Sequence, residues 1–163
     1  MDDKLAVLYF QVTDLWKRLC EEHNDLFNVT CDEYSLLLSS ELDKLEEKLV
    51  EKNQIIIRIS ALEGIRRDVI SELNKLLPNQ DIDSVTKLLD VMKNYEVENN
   101  QKHLFRFNAL LIDIIEKIQA QNKRNQLFIN KALVSLKQIR IEATGKKNYS
   151  TYTSKGSAMS SST

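Results

Sequence analysis

The scarcity of glycine and proline is the feature that most limits what this chain can fold into. Only three Gly and one Pro occur in 163 residues, and Gly64, Gly145 and Gly156 lie far apart. All-β sandwiches and barrels need turn residues about every 8–12 positions, and phosphate-binding loops need clustered glycines. With 42% apolar and 29% charged residues, the composition therefore predicts an all-α protein built from long helices.

Charge and cysteine content exclude further classes. The formal net charge is −1, from 23 basic and 24 acidic residues, so the overall charge gives no reason to bind nucleic acid or an anionic membrane. No apolar run is long enough to span a bilayer, and the acidic start Met1-Asp2-Asp3 does not resemble a signal peptide. Cys20 and Cys31 form no CxxC pair. We therefore expect a reduced, cytoplasmic protein without stable membrane insertion.

Apolar residues recur three and four positions apart, which is typical of amphipathic helices. A first helix is predicted over residues 3–27. The pattern Thr30-Cys31-Asp32-Glu33 resembles a capping box, so a second, long helix is predicted from there to Leu77, where Pro78 stops it. Both this helix and the last one carry the 4-3 spacing of a heptad seam.

Asp83 or Ser84 is suited to cap a third helix, and Gly145 to end the last one after Thr144. Whether the third and fourth helices are continuous through the polar residues 94–100 stays open. Residues 1–144 are thus predicted to form a single domain, an elongated antiparallel hairpin or bundle of three to four helices. Residues 145–163 carry nine Ser or Thr and a charge of +3, which predicts a flexible, disordered tail.

No catalytic or metal site emerges from the sequence. His103 has a basic residue three positions on, as a phosphotransfer histidine has, but Phe107 stands where that motif needs Gly. Cys20, His23 and Cys31 provide three potential ligands without the fourth that closes a structural zinc site. We therefore predict that the chain is not an enzyme and holds no cofactor.

The last helix is the better candidate for function. Beyond Gln121 its apolar residues spread around most of the circumference, and such a helix needs more than one partner. Either it is a buried core helix, or one face binds an amphipathic helix of another protein. A self-associating coiled-coil scaffold or adaptor is the competing hypothesis, in which the same stripe pairs with itself.

Several short elements, taken in order, resemble one known family. They are the Leu-rich stretch from Leu36 to Leu45, Leu62-Glu63-Gly64-Ile65-Arg66, Asn125-Gln126-Leu127-Phe128 with Ala132-Leu133, and Tyr152-Thr153-Ser154-Lys155-Gly156. Over roughly residues 36–156 this order resembles the FlgN family of flagellar export chaperones. In the tail element, Thr153-Ser154-Lys155 departs from the small or acidic residues that are usual in the family.

The resemblance implies a cytosolic chaperone of flagellar type III secretion that needs neither ATP nor metal. Its clients would be the hook-filament junction proteins, or hook-associated proteins, whose C-terminal helical segments it would bind and deliver to the membrane export gate; a weak homodimer is compatible with this. The client-binding residues that we expect are Asn125, Phe128, Ile129, Ala132, Leu133, Leu136 and Ile139. Tyr149, Tyr152 and Gly156 are expected to dock the tail.

Overall fold

The computed structural model describes residues 2–144 and two short segments of the tail, and it bears out the all-α fold class. Its helices are α1 (Asp2–Leu38), α2 (Leu42–Leu76), α3 (Val85–Glu98) and α4 (His103–Thr144), with a 3-10 helix at Pro78–Gln80. Two compact units are formed, Met1–Asn122 and Lys123–Thr163. The division falls inside α4 rather than in a linker, so the predicted domain boundary at residue 144 stays a prediction.

The first helix boundary differs from the sequence prediction. α1 continues through residues 28–31, and the chain turns only at residues 39–41, where Ser40 has a φ of 57°. The capping box was therefore wrong: the Thr30 hydroxyl donates to the Leu26 carbonyl, 2.7 Å away within the helix. Val29 and Thr30 are both buried, and this burial favours a continuous helix over a break in the middle of the packed surface.

Three ion pairs show that α1 and α2 form an antiparallel hairpin. Lys48 Nζ lies 3.3 Å from Asp32, Lys52 Nζ lies 2.8 Å from Glu33, and Arg58 Nε lies 3.0 Å from Glu22. Residues later in α2 therefore pair with residues earlier in α1, as antiparallel packing requires. The long second helix predicted from residue 30 is in fact the end of α1 followed by α2.

The core of the first unit combines all four helices. α1 supplies the largest fully buried side chains, Tyr9 and Trp16. The Trp16 indole N–H donates to the Asn108 side-chain oxygen at 3.1 Å, which joins α1 to α4. The other buried apolar residues include Val12, Leu15, Leu19, Ile55, Ile59, Leu62, Val69, Leu73, Leu88, Met92, Leu104, Leu111, Ile114 and Ile118.

The connection from α2 to α3 begins at Pro78, the residue that was predicted to stop the second helix. Leu77 caps α2 and Pro78 opens the 3-10 helix. The Asn74 side chain brackets Ile82, accepting from its N–H and donating to its carbonyl at 2.7 Å each. Of the two predicted candidates, Ser84 rather than Asp83 is the N-cap of α3, with its hydroxyl oxygen accepting from the Lys87 N–H.

Helices α3 and α4 are separate, which answers a question that the sequence left open. Residues 99–102 break the helix, with Asn100 at a φ of 53°. The buried Glu96 carboxylate accepts from the Leu104 and Phe105 N–H groups at the start of α4, and from the Tyr9 hydroxyl at 2.6 Å. Burial and this carboxylate raise the pKa of Tyr9 to about 12. Glu96 therefore fixes the start of α4 against both α1 and α3.

In the tail the structure describes two strands, β1 (Ser150–Tyr152) and β2 (Ala158–Ser160). They pair antiparallel, with Ser150 opposite Ser160 and Tyr152 opposite Ala158. The other tail residues, including Tyr149 and Gly156, lie outside the described residues. The predicted end of α4 at Thr144 is confirmed.

Candidate functional site

The seven residues predicted to bind a client lie on one side of the C-terminal segment of α4, residues 123–144. At about 100° per residue they fall within an arc of roughly 140°. We call this side the front face; it consists of Asn125, Phe128, Ile129, Ala132, Leu133, Leu136 and Ile139. The seven residues, which follow from the apolar pattern of the last helix and from the family resemblance, thus share one side of α4.

Exposure increases along the front face toward the C-terminus. Asn125 is only 5% exposed, and Phe128, Ile129 and Ala132 are half-buried. Leu133, Leu136 and Ile139 are 47%, 62% and 59% exposed. This end of α4 is therefore not the buried core helix that was the alternative interpretation.

A second apolar row lies on the opposite side of the same segment, and the sequence analysis did not single it out. This back face consists of Leu127, Val134 and Ile141, which are spaced seven residues apart. Leu127 and Val134 are exposed, whereas Ile141 is half-buried. The spacing of seven residues can be read from the sequence, but the interpretation considered only the apolar residues of the front face.

The segment is also basic. Between residues 123 and 144 five basic side chains stand against one acidic side chain, Glu142, so the local charge is +4. The five are Lys123, Arg124, Lys131, Lys137 and Arg140. The C-terminal segment of α4 is therefore a basic helix with apolar rows on two sides.

The candidate catalytic and metal-ligating residues do not assemble into a site. The Cys20 thiol is buried and donates to the Phe107 carbonyl at 3.3 Å, and burial raises its pKa. A buried, protonated thiol is a poor nucleophile and a poor metal ligand. His23 Nδ1 contacts the Leu19 carbonyl of its own helix at 2.7 Å, and His103 is exposed at the start of α4. Across residues 3–144 no cluster of ligands suited to a metal ion is found.

An open cavity of about 440 Å³ lies between α3 and the start of α4, lined by Leu89, Val97 and Phe105 among others. The one buried carboxylate on its wall, Glu96, is already engaged by three hydrogen-bond donors. The wall combines four apolar side chains with polar and charged ones, among them Asp90, Lys93 and Asn108. In the part of the chain that the structure describes, no helix combines the length and hydropathy needed to cross a bilayer.

Long helices with an exposed apolar face are typical of proteins that bind helical segments of other polypeptides. Comparison with known proteins specifies the class as a flagellar export chaperone. The family model described as FlgN protein matches residues 1–160, and the chain belongs to the FlgN family. No curated protein and no solved structure matches it significantly. The match includes the first helix, on which the resemblance in the sequence did not depend.

Proposed function

We propose that this chain is a cytoplasmic chaperone of flagellar type III secretion, which binds hook-filament junction proteins and delivers them to the export gate. Membership of the FlgN family supports a role in flagellar export. The observation that carries the choice of site is the exposure of Leu133, Leu136 and Ile139 on the front face. An apolar helix face that remains in contact with water gains free energy when another apolar surface covers it.

In this proposal the C-terminal helical segment of the client lies along the front face. Each large apolar side chain that becomes buried contributes roughly 1.5–3 kcal/mol before the costs of association are subtracted. Phe128 and Ile129, which are half-buried, continue the surface toward Asn125. Binding of this kind draws its free energy mainly from apolar contact and needs neither ATP nor a metal ion.

The tail has a separate proposed role in docking. Tyr149, Tyr152 and Gly156 would contact the client or the export gate once the chaperone is loaded. Deleting residues 145–163 is expected to leave client affinity within about threefold while abolishing capture by the purified cytoplasmic portion of the gate. Loss of gate binding without loss of client binding would distinguish this role from that of α4; unchanged gate binding would contradict it.

The decisive experiment for the front face is calorimetric titration with C-terminal segments of hook-filament junction proteins. Phe128→Glu with Leu136→Glu is expected to reduce affinity at least about 100-fold, because two charges would enter an apolar contact. Phe105→Glu is the matched control, since Phe105 is 68% exposed on the other end of α4. Retained binding by the double variant would exclude the front face.

The competing hypothesis, a coiled-coil scaffold without a secretion role, makes a different prediction. Light scattering across a range of concentrations would then show a stable dimer that does not respond to any junction protein. Self-association that coexists with client binding does not support the scaffold, because a chaperone that also dimerises behaves in the same way.

A further inference from the structure

Charge is divided unevenly along the chain, although its total is only −1. Residues 1–122 contain 15 basic and 23 acidic side chains and therefore carry −8. Residues 123–163 contain eight basic side chains and one acidic side chain and therefore carry +7. The balanced total thus conceals a strongly basic C-terminal region. Such an asymmetry is a common sign of an anionic partner, which the basic region alone would contact.

The basic side chains of the C-terminal segment of α4 are grouped around the back face. Four of the five lie within about 80° of Leu127 around the helix. They are all exposed, and they are Lys123, Arg124, Lys131 and Lys137. Glu142 is on this side as well, at about 60° from Leu127, whereas Arg140 is about 140° away. The back face therefore carries a net charge of +3 on both sides of its apolar row.

An apolar row with basic borders is the arrangement of a helix that lies in a membrane interface. Leu127 and Val134 are 53% and 64% exposed, and Ile141 is half-buried. Lysine and arginine beside such a row can lay their methylene stems along apolar surface while their charged ends stay among the lipid headgroups. Electrostatic attraction and burial of the row then act in the same direction.

We infer that the back face of α4 docks reversibly on the surface of a membrane that contains anionic phospholipid. The acidic residues 1–122 restrict the contact to the C-terminal region, because the same headgroups repel them. The contact is peripheral, since the row has only three apolar residues and no helix among the described residues could cross a bilayer.

A lipid surface fits the observations better than other anionic partners. A nucleic acid would pair with the basic side chains but would leave the apolar row in water, because phosphate contacts need no apolar surface. An acidic helix would cover residues 123–144 only. A membrane surface is wide enough to meet the back face together with the three lysines of residues 145–163, Lys146, Lys147 and Lys155.

The front face lies on the opposite side of the same segment, so lipid on the back face leaves it accessible. A client and a membrane could therefore be bound at the same time. The inference goes beyond the proposed function and does not depend on it, because its experiment contains no client.

Co-sedimentation of the full chain with lipid vesicles tests the inference. The parent is expected to bind vesicles of phosphatidylglycerol and phosphatidylcholine in equal parts at least about tenfold more tightly than vesicles of phosphatidylcholine alone, since anionic headgroups supply the attraction. Binding to the anionic vesicles should fall at least about tenfold as the salt concentration rises from about 50 to about 500 mM, because salt screens exposed charges.

Two charge-reversal variants separate local charge from total charge. Lys123→Glu with Lys131→Glu is expected to weaken binding to the anionic vesicles at least about tenfold, because both changes border Leu127. Lys4→Glu with Lys17→Glu changes the total charge equally, at exposed positions of α1, and should alter binding by less than about threefold. Circular dichroism checks that both variants remain helical. Equal losses in the two variants would overturn the inference, as would a parent that binds neither kind of vesicle or both equally.

A second pair of variants tests the apolar row without changing any charge. Leu127→Gln with Val134→Gln is expected to weaken binding to the anionic vesicles at least about tenfold, because the exposed apolar area of the back face is then lost. Leu133→Gln with Leu136→Gln makes the same kind of change on the front face and should leave vesicle binding within about threefold of the parent. If the back-face variant binds as tightly as the parent, charge alone carries the contact, as it does in binding to nucleic acid, and the inference is overturned.

Discussion

Helix α4 contains two segments that look alike in sequence and differ in their surroundings. In residues 103–122 the apolar stripe of Leu104, Leu111, Ile114 and Ile118 is buried in the core of the first unit. In residues 123–144 an apolar stripe of similar spacing includes Leu133, Leu136 and Ile139, which are all exposed. Periodicity therefore shows which side of a helix needs a partner, but it does not show whether that partner belongs to the same chain.

The largest expected difference between the two segments is in hydrogen exchange. Amides of residues 111–118 should exchange through openings close to global unfolding, since their side chains are packed in the core. Amides of residues 130–140 should exchange at least about 100-fold faster, because few buried contacts oppose local opening there. Exchange measured by mass spectrometry on the isolated chain checks this. Equal protection would mean that the second segment is held as firmly as the first.

Truncating one leucine in each segment tests the same contrast energetically. Leu104 is 2% exposed and Leu136 is 62% exposed. Leu104→Ala should lower the free energy of unfolding by about 3–4 kcal/mol through lost burial and the cavity left behind. Leu136→Ala, an identical truncation, should change it by less than about 0.5 kcal/mol. Urea denaturation measures both, and similar losses would contradict the comparison.

Much of the fold could be predicted from sequence because it depends on local signals. The scarcity of glycine and proline gave the all-α class, Pro78 gave the end of α2, and Ser84 gave the start of α3. The start of α2 could not be predicted, because Thr30 and Glu33 fit a cap locally while tertiary contacts determine what they do. Thr30 is buried within α1, and Glu33 pairs with Lys52 across the hairpin.

The site shows the same division between local and tertiary information. Once residues 123–144 are known to be helical, the positions of the seven front-face residues in the sequence place them on one side of α4, because helical geometry fixes that relation. The spacing could not predict that Asn125 is buried while Leu136 is exposed, since that depends on which neighbours reach each position. In α2 likewise, the 4-3 spacing predicted a heptad seam but could not show that Leu42 and Leu49 on it remain exposed.

The buried carboxylate at the start of the first segment provides a third test. Glu96 accepts three hydrogen bonds, two of them from the first turns of α4. Glu96→Gln removes the charge that these donors stabilise and places an amide donor near another donor, so a loss of about 2 kcal/mol is expected. Glu98→Gln, on the exposed side of the same helix, should have almost no effect. Thermal and urea unfolding compare the two, and equal stabilities would mean that Glu96 does not hold α4.

The smallest expected effect is a dependence of stability on alkaline pH that originates at Tyr9. Its pKa is raised from 10.0 to about 12, first by burial and then by the Glu96 carboxylate that accepts its proton. Between these two values an unfolded tyrosine has already ionised while the folded one has not, so the unfolded state binds fewer protons. Stability must therefore fall as pH rises through this window, by roughly 1 kcal/mol from about pH 10 to about pH 11. Other groups titrate there as well, so the contribution of Tyr9 is the difference between the parent and Tyr9→Phe, which lacks the ionisable group. If the free energy of unfolding changes with pH in the same way for both proteins, the folded structure does not keep the Tyr9 hydroxyl protonated. The Tyr9–Glu96 hydrogen bond at the start of α4 would then be weaker than its 2.6 Å length indicates.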